Sequence, residues 1–281
     1  MKSNKLMKYF FSVLVLVCLI SSCSEYQKVL KSEDTAAKFK LGDSLYQIGK
    51  YQKANTLFAQ IVPKYKGKPQ AQKLMFLYAD SFYKMNDFYV AGYQFERFVT
   101  SYPKSEKKED AAFYGAKSYY MLSPRYSNDQ TETKDAIEKL QEFINLFPSS
   151  KHVSEANKLV KELDFKLEKK AFEIAKQYDH ISDYKASIKS FDNFIFQFPG
   201  SSLREDALFY RFDAACKLAI DSKEYKNTAD GIVKLRKNRL EQAKEYYAIF
   251  KKASSNSDYI AEAEKMMAEI NKELETYSAK S

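Results

Sequence analysis

One pattern recurs five times along this 281-residue chain and narrows what it can fold into. A small residue stands at Ala54, Ala91, Ala136, Ser187 and Ala243. Four residues later come Phe58, Phe95, Leu140, Phe191 and Tyr247, and seven later Ile61, Phe98, Phe143, Phe194 and Phe250. Offsets of four and seven put these side chains on one face of an α-helix. Twelve residues after the small anchor, three of the five units carry Pro103, Pro148 or Pro199, whose ring halts a helix. Three residues before it stand Tyr51, Phe88 and Tyr184, with Thr133 and Leu240 in the remaining units. Twelve before it, units one, two and four have Gly42, Ala79 and Ala175, small enough to let a first helix approach the second closely.

Small, aromatic, small, large, large, Pro at these spacings resembles the tetratricopeptide repeat, a helix–turn–helix of about 34 residues. The anchors lie 37, 45, 51 and 56 residues apart, so insertions enlarge the later units. The polar stretch Ser123 to Thr131 is one such loop, and Asp221 to Gly231 is another. Residues Asp258 to Tyr277 predict a last helix with Ile260, Ala263, Met267, Ile270 and Leu274 along one stripe, acting as a cap. The expected fold is therefore all-α: a tetratricopeptide-repeat-like α-solenoid of about five helix pairs plus a C-terminal capping helix, over residues 32–277. Early repeats span 32–103 and later repeats 104–277. Seven Gly and six Pro are few turn formers for a β-sandwich, whereas 22 Tyr and 21 Phe find room between stacked helices.

The N-terminus reads as an address. Lys2, Lys5 and Lys8 precede an apolar run from Tyr9 to Ile20, and small residues then lead to Cys23. The run is shorter than the roughly 20 residues a membrane-spanning helix needs. Ile20-Ser21-Ser22-Cys23 resembles the bacterial lipobox, which implies a signal peptide over 1–22 and a diacylglycerol thioether on the Cys23 sulfur. Residues 23–31 then form a lipidated tether, and two or three acyl chains anchor durably at about 0.8 kcal/mol per buried CH₂. Ser24 resembles an outer-membrane sorting signal, where Asp would resemble an inner-membrane one. With Cys18 removed and Cys23 acylated, Cys216 is the one free thiol, so neither a disulfide nor a Cys-based metal site can be built. Formal charge is +9, about +6 without the three leader lysines, and acidic residues are interspersed throughout. This is an ordinary solvated surface, and nucleic acid is not an expected partner.

First helices of the pairs face the concave side of such a fold. Steps of four and three give Phe39, Asp43 and Tyr46 in unit one and Phe76, Asp80 and Tyr83 in unit two, with Tyr119 and neighbouring Tyr120 in unit three. Aromatic rings supply rigid contact area and carboxylates accept peptide N–H groups, so this ladder is a candidate groove for an extended, aromatic-containing polypeptide. The competing reading has the same rings packed between neighbouring units. His152 and His180 have no metal-ligand partner at helical spacing, and neither a GxSxG, a Gly-rich phosphate loop nor an HExxH motif occurs. No catalytic residue, cofactor or metal is expected.

The chain after Cys23 also resembles the BamD family of outer-membrane assembly lipoproteins. The resemblance lies in Glu96 to Pro103 (ERFVTSYP), Glu142 to Ser149 (EFINLFPS), Leu167 to Ala175 (LEKKAFEIA), Phe191 to Ser201 (FDNFIFQFPGS) and Asp135-Ala136-Ile137, together with the lipobox. It implies a role in folding β-barrel proteins into the outer membrane. Early repeats would meet unfolded barrel polypeptides, and later repeats would dock on periplasmic domains of the barrel-forming assembly subunit. The insertion after Asp221 departs from the family pattern. A repeat lipoprotein that binds glycan or peptidoglycan is the alternative, since Tyr rings stack on sugars as well.

Overall fold

Two short devices recur at the helix boundaries among the described residues. The computed structural model describes residues 25–220 and 229–278. The signal peptide, Cys23, Ser24 and most of the second insertion lie outside the described residues. Helix α1 covers 25–31. It is followed by α2 (Thr35–Gln47), α3 (Tyr51–Ile61), α4 (Ala71–Lys84), α5 (Phe88–Ser101), α6 (Lys108–Leu122) and α7 (Thr131–Leu146). Then come α8 (Val153–His180), α9 (Tyr184–Gln197), α10 (Arg204–Ile220), α11 (Ala229–Ala253) and α12 (Ile260–Ser278). The described residues thus form the five expected pairs, α2/α3 through α10/α11, and the closing helix. The stretch read as a tether is already helical from residue 25, and Tyr26, Val29 and Leu30 pack on the core of the first pair.

In the first, second and fourth pairs the turn between the helices holds one residue in the left-handed region. Gly49, Asn86 and Ser182 supply it, with φ of 75°, 62° and 62°. Their backbone N–H groups donate to Tyr46, Tyr83 and Asp179. The next N–H reaches one residue further back, to Leu45, Phe82 and Tyr178, closing the first helix as a Schellman turn does. Asp87 and Asp183 then cap the second helix through the amides of Val90 and Ala186. The turn between pairs uses a serine. Ser105, Ser150, Ser201 and Ser257 each accept from the amide two residues on, at 3.1–3.3 Å. The last three also donate to Glu109, Glu168 and Glu205 in the first helix of the preceding pair.

The anchors do the packing. Ala54, Ala91, Ala136, Ser187 and Ala243 are wholly inaccessible, and so are nearly all the residues four and seven further on; Tyr247 alone is half-buried. A Cβ on Gly42 would stand 2.6 Å from the Phe58 ring, so only glycine permits α2 to lie this close to α3. Cys216 belongs to the last core, and burial pushes its thiol up to about 12.

Two compact units share this architecture. The first comprises residues 25–124 and 131–161; the second comprises 125–130 and everything from 162. The border therefore falls within α8, a single helix without Gly or Pro, and not at the 103/104 break between early and later repeats. The tip of the third-repeat loop belongs with the second unit, where the Lys170 ammonium donates to the Asn128 carbonyl and Lys169 sits 4.7 Å over the Tyr126 ring.

Candidate functional site

The first helices α2, α4 and α6 pack side by side in the first unit and carry the predicted ladder. On α2, Phe39 is buried and lies offset against Tyr65 at 5.7 Å. Asp43 is half-buried, paired with Lys73 and accepting from Gln47. Phe76 on α4 packs edge-on against Phe95 and Phe98 at 5.8 and 5.6 Å. Phe39 is core, and Phe76 is half-buried against the core of the second pair.

The tyrosines form a row. The Tyr46 hydroxyl donates to Asp80, a carboxylate only 4 % exposed. Burial first, and then that bond, hold the Tyr46 phenol well above its ordinary range. Its ring meets Tyr51 edge-on at 5.3 Å. Tyr83 sits between Phe88 and Tyr114, at 5.3 and 5.4 Å. Burial raises its phenol as well, against the pull of the nearby Lys117 ammonium. Lys117 in turn is bound to Glu155 at 2.6 Å. Tyr46, Asp80, Tyr83, Tyr114 and Lys117 thus form one half-buried polar and aromatic surface. The sequence reading missed Tyr114 and Lys117. The signal for Lys117 was present, since stepping 37 residues from Phe76, Asp80 and Tyr83 gives Phe113, Lys117 and Tyr120, with a cation where two carboxylates stood before; that step does not reach Tyr114.

Tyr119 stands apart from that row. It hydrogen-bonds Glu96 of α5, lies beneath Lys139 of α7 at 5.6 Å and presses against Gly92, where an added Cβ would be 3.2 Å from its ring. Tyr120 is half-buried on α6. Among the described residues there is no cluster of three or more His, Cys, Asp or Glu that could hold a metal. No described helix is long and apolar enough to cross a membrane.

Residues 31–230, well over half of the chain and parts of both units, match the model of the YfiO family, described as outer membrane lipoprotein. The chain belongs to that family. No curated protein matches this member of the family. Among solved structures, it is similar to a TPR repeats protein from Bacteroides fragilis at 10 % identity and a TM-score of 0.41, covering 85 % of this chain and 99 % of that one. It is also similar to TPR-like repeats of a putative kinesin light chain from Podosopora anserina, at 16 % identity and a TM-score of 0.32, covering 77 % and 96 %.

Proposed function

We propose that this outer-membrane lipoprotein is a non-enzymatic scaffold of the β-barrel assembly machinery, held through acylated Cys23 on the membrane and facing the periplasm. The family match over residues 31–230 carries this reading. The first unit receives unfolded barrel polypeptides along the row of Tyr46, Asp80, Tyr83 and Tyr114, with Asp43, Tyr119 and Tyr120 at its margins. Phe39 and Phe76 support that face from within. Half-buried phenols offer rigid contact area at small entropic cost, and the Tyr46 hydroxyl, already fixed by Asp80, needs no further ordering. The later repeats hold the barrel-forming assembly subunit through its periplasmic domains. No bond is made or broken, and no cofactor or nucleic acid takes part; the contribution is positioning.

Affinity purification of the native lipoprotein from detergent-solubilised membranes, read by mass spectrometry, tests the role. Stoichiometric recovery of a large outer-membrane β-barrel with periplasmic domains is expected, and recovery of none sinks it. Peptide titration tests the row: Tyr46→Ala with Tyr83→Ala is expected to weaken binding of an extended aromatic peptide at least about tenfold. Tyr89 and Tyr93 on α5, 76 % and 55 % exposed, favour the second reading, a glycan binder. In that case polysaccharide and no barrel is recovered.

A further inference from the structure

In three places a cleft opens between the second helices of successive pairs, floored by the first helix between them. Over α6 it holds about 320 Å³, with Lys139 set against Glu96 and Glu142. Over α10 it holds about 550 Å³, with Lys185 and Arg239 set against Glu241 and Glu245. Over α4, between α3 and α5, it is larger, about 690 Å³, and its only charged lining residues are Lys66 and Arg97. In a chain with 37 acidic residues, a cleft with two cations and no carboxylate is an imbalance to be explained.

Most of the polar side chains there keep donor capacity that no protein acceptor takes up, Tyr65 excepted, whose hydroxyl donates to the Thr35 carbonyl. Arg97 gives one N–H to the Gln94 side-chain oxygen at 3.3 Å and lies 5.7 Å from the Tyr93 ring, but no carboxylate meets it. Lys66 forms no ion pair among the described residues. Gln94 is 8 % exposed, lines the cleft, and its amide NH₂ donates to no protein atom. Tyr78 and Tyr102, both half-buried, line the same cleft. Burial raises the Tyr78 phenol and keeps it a donor. Lys66 and Arg97 are exposed at the mouth, Tyr78 and Tyr102 are half-buried and Gln94 is buried in the wall, so an incoming anion would meet two cations that no carboxylate neutralises and neutral donors behind them.

We propose that the cleft between α3, α4 and α5 binds a phosphoryl group carried on an apolar body. A forked guanidinium, an ammonium, an amide and two phenols exceed what the two oxygens of a carboxylate can accept, and they suit three terminal phosphate oxygens. The remaining wall, Val62, Pro63, Ala71 and Met75, is apolar and has room for more than phosphate. A lipid headgroup is the preferred source, and this preference rests on the anchored reading above. Helix α1, which follows Cys23 by two residues, packs onto the start of α3, where Lys53 lies 5.2 Å over the Tyr26 ring. The far end of the same α3 supplies Ala59, and the residues after it Val62 and Pro63, to the cleft wall.

The test is calorimetric titration of the full chain in neutral maltoside micelles with dihexanoylphosphatidic acid, inorganic phosphate and dihexanoylglycerol. These micelles take the anchor out of the comparison, so the result stands whether or not the assembly role does. One saturable site for the phosphatidic acid, none for dihexanoylglycerol, and at least about tenfold weaker binding in the Lys66→Gln/Arg97→Gln double variant are expected. Arg97→Lys keeps the charge, loses the fork and should fall between. Phosphatidic acid binding more tightly than inorganic phosphate assigns the site to a lipid; equal affinity assigns it to a soluble phosphate. The proposal is overturned by dihexanoylglycerol binding as tightly as phosphatidic acid, by unchanged affinity in the double variant, or by no saturable heat from either phosphate compound.

Discussion

The third repeat, in the first unit, and the fifth, in the second, close in the same way with different chemistry. Glu109-Asp110 and Phe113-Tyr114 recur 96 residues later as Glu205-Asp206 and Phe209-Tyr210. Phe113 stacks face to face on His152, at 4.2 Å and 3°, whereas Phe209 stacks on Tyr259, at 4.1 Å and 11°. The imidazole donates to Asp110 at 2.9 Å, and the phenol of Tyr259 donates to Asp206. A serine two residues before each ring, Ser150 or Ser257, bonds the neighbouring glutamate. What the junction requires is therefore a flat ring with a polar tip over a phenylalanine, beside an aspartate. The chemical identity of that tip, imidazole or phenol, is open to exchange.

The largest effects should come from the phenylalanines, which both junctions share. Phe113→Ala and Phe209→Ala each remove a buried ring that nothing can replace, at an expected cost of about 3–5 kcal/mol. Because the chain has two units, the measurement should be native-state hydrogen exchange, which locates the loss. Phe113→Ala should release amides of α6 and α7, and Phe209→Ala those of α10 to α12. Equal release everywhere from either variant would break the comparison between two separate units.

Next in size is a place where the repeats differ outright. Gly115 lies 3.3 Å, through an added Cβ, from Phe95, and its counterpart 96 residues on is Arg211. That arginine is 7 % exposed, donates to Asp192 at 2.8 Å and stacks 4.2 Å over Tyr246, yet its Nε and Nη2 reach no partner. Removing the acceptor with Asp192→Ala strands a buried cation and should cost about 1–3 kcal/mol. Arg211→Met should be neutral or stabilising, because a buried ion pair often does no better than an apolar side chain of similar volume. Urea titration of both variants decides: a costly Arg211→Met would mean the guanidinium is needed for more than its pair with Asp192.

A smaller, pH-dependent difference follows from the two ring tips. Burial works against the Asp110 carboxylate, but the bonds from His152, Lys107 and Lys151 outweigh it and hold the group well below the usual carboxylate range. A depressed folded value means that its stabilisation is complete above the ordinary range near pH 4 and is lost as acid titrates the folded group. Tyr259 is the mirror case: burial, then the bond to Asp206, raise it, so its contribution is present below pH 10 and lost only in stronger alkali. Asp110→Asn should destabilise the first unit by about 1–2 kcal/mol at pH 7, and the deficit should shrink below about pH 4. Exchange protection of α6 measured across that range tests the sign.

How far the residues revealed this in advance differs between helices. The second helices bury one face, so a small residue followed at four and seven by large ones located α3, α5, α7, α9 and α11 correctly. Helix α6 buries Ala111, Phe113, Gly115, Ala116 and Ser118, which point to more than one side because α5 and α7 both pack on it. No single stripe stands out there, so steps of four and three lead to Tyr119 and pass over Tyr114 and Lys117. Asp80 read as an accessible acceptor because its bond to Tyr46 spans 34 residues, which no local pattern reports. The continuous α8 had the simplest signal, 28 residues without Gly or Pro, but where a unit ends inside an unbroken helix depends on contacts made elsewhere.

The serines supply the smallest test. Ser150, Ser201 and Ser257 occupy one position in three successive junctions, each accepting from the amide two residues on and donating to a glutamate in the first helix of the preceding pair. Truncation to alanine removes one turn bond and one charge-assisted bond, both partly open to water that can replace them, so about 1 kcal/mol each is expected. The comparison predicts near-equal losses despite the exchange of imidazole for phenol two residues later. Double-mutant cycles with Glu109→Gln, Glu168→Gln and Glu205→Gln measure the coupling in each case. A coupling present at Ser150 and absent at Ser257 would show that the cationic side chains beside His152, and not the serine–glutamate bond itself, hold that turn in place; equal couplings would make the bond a property of the repeat.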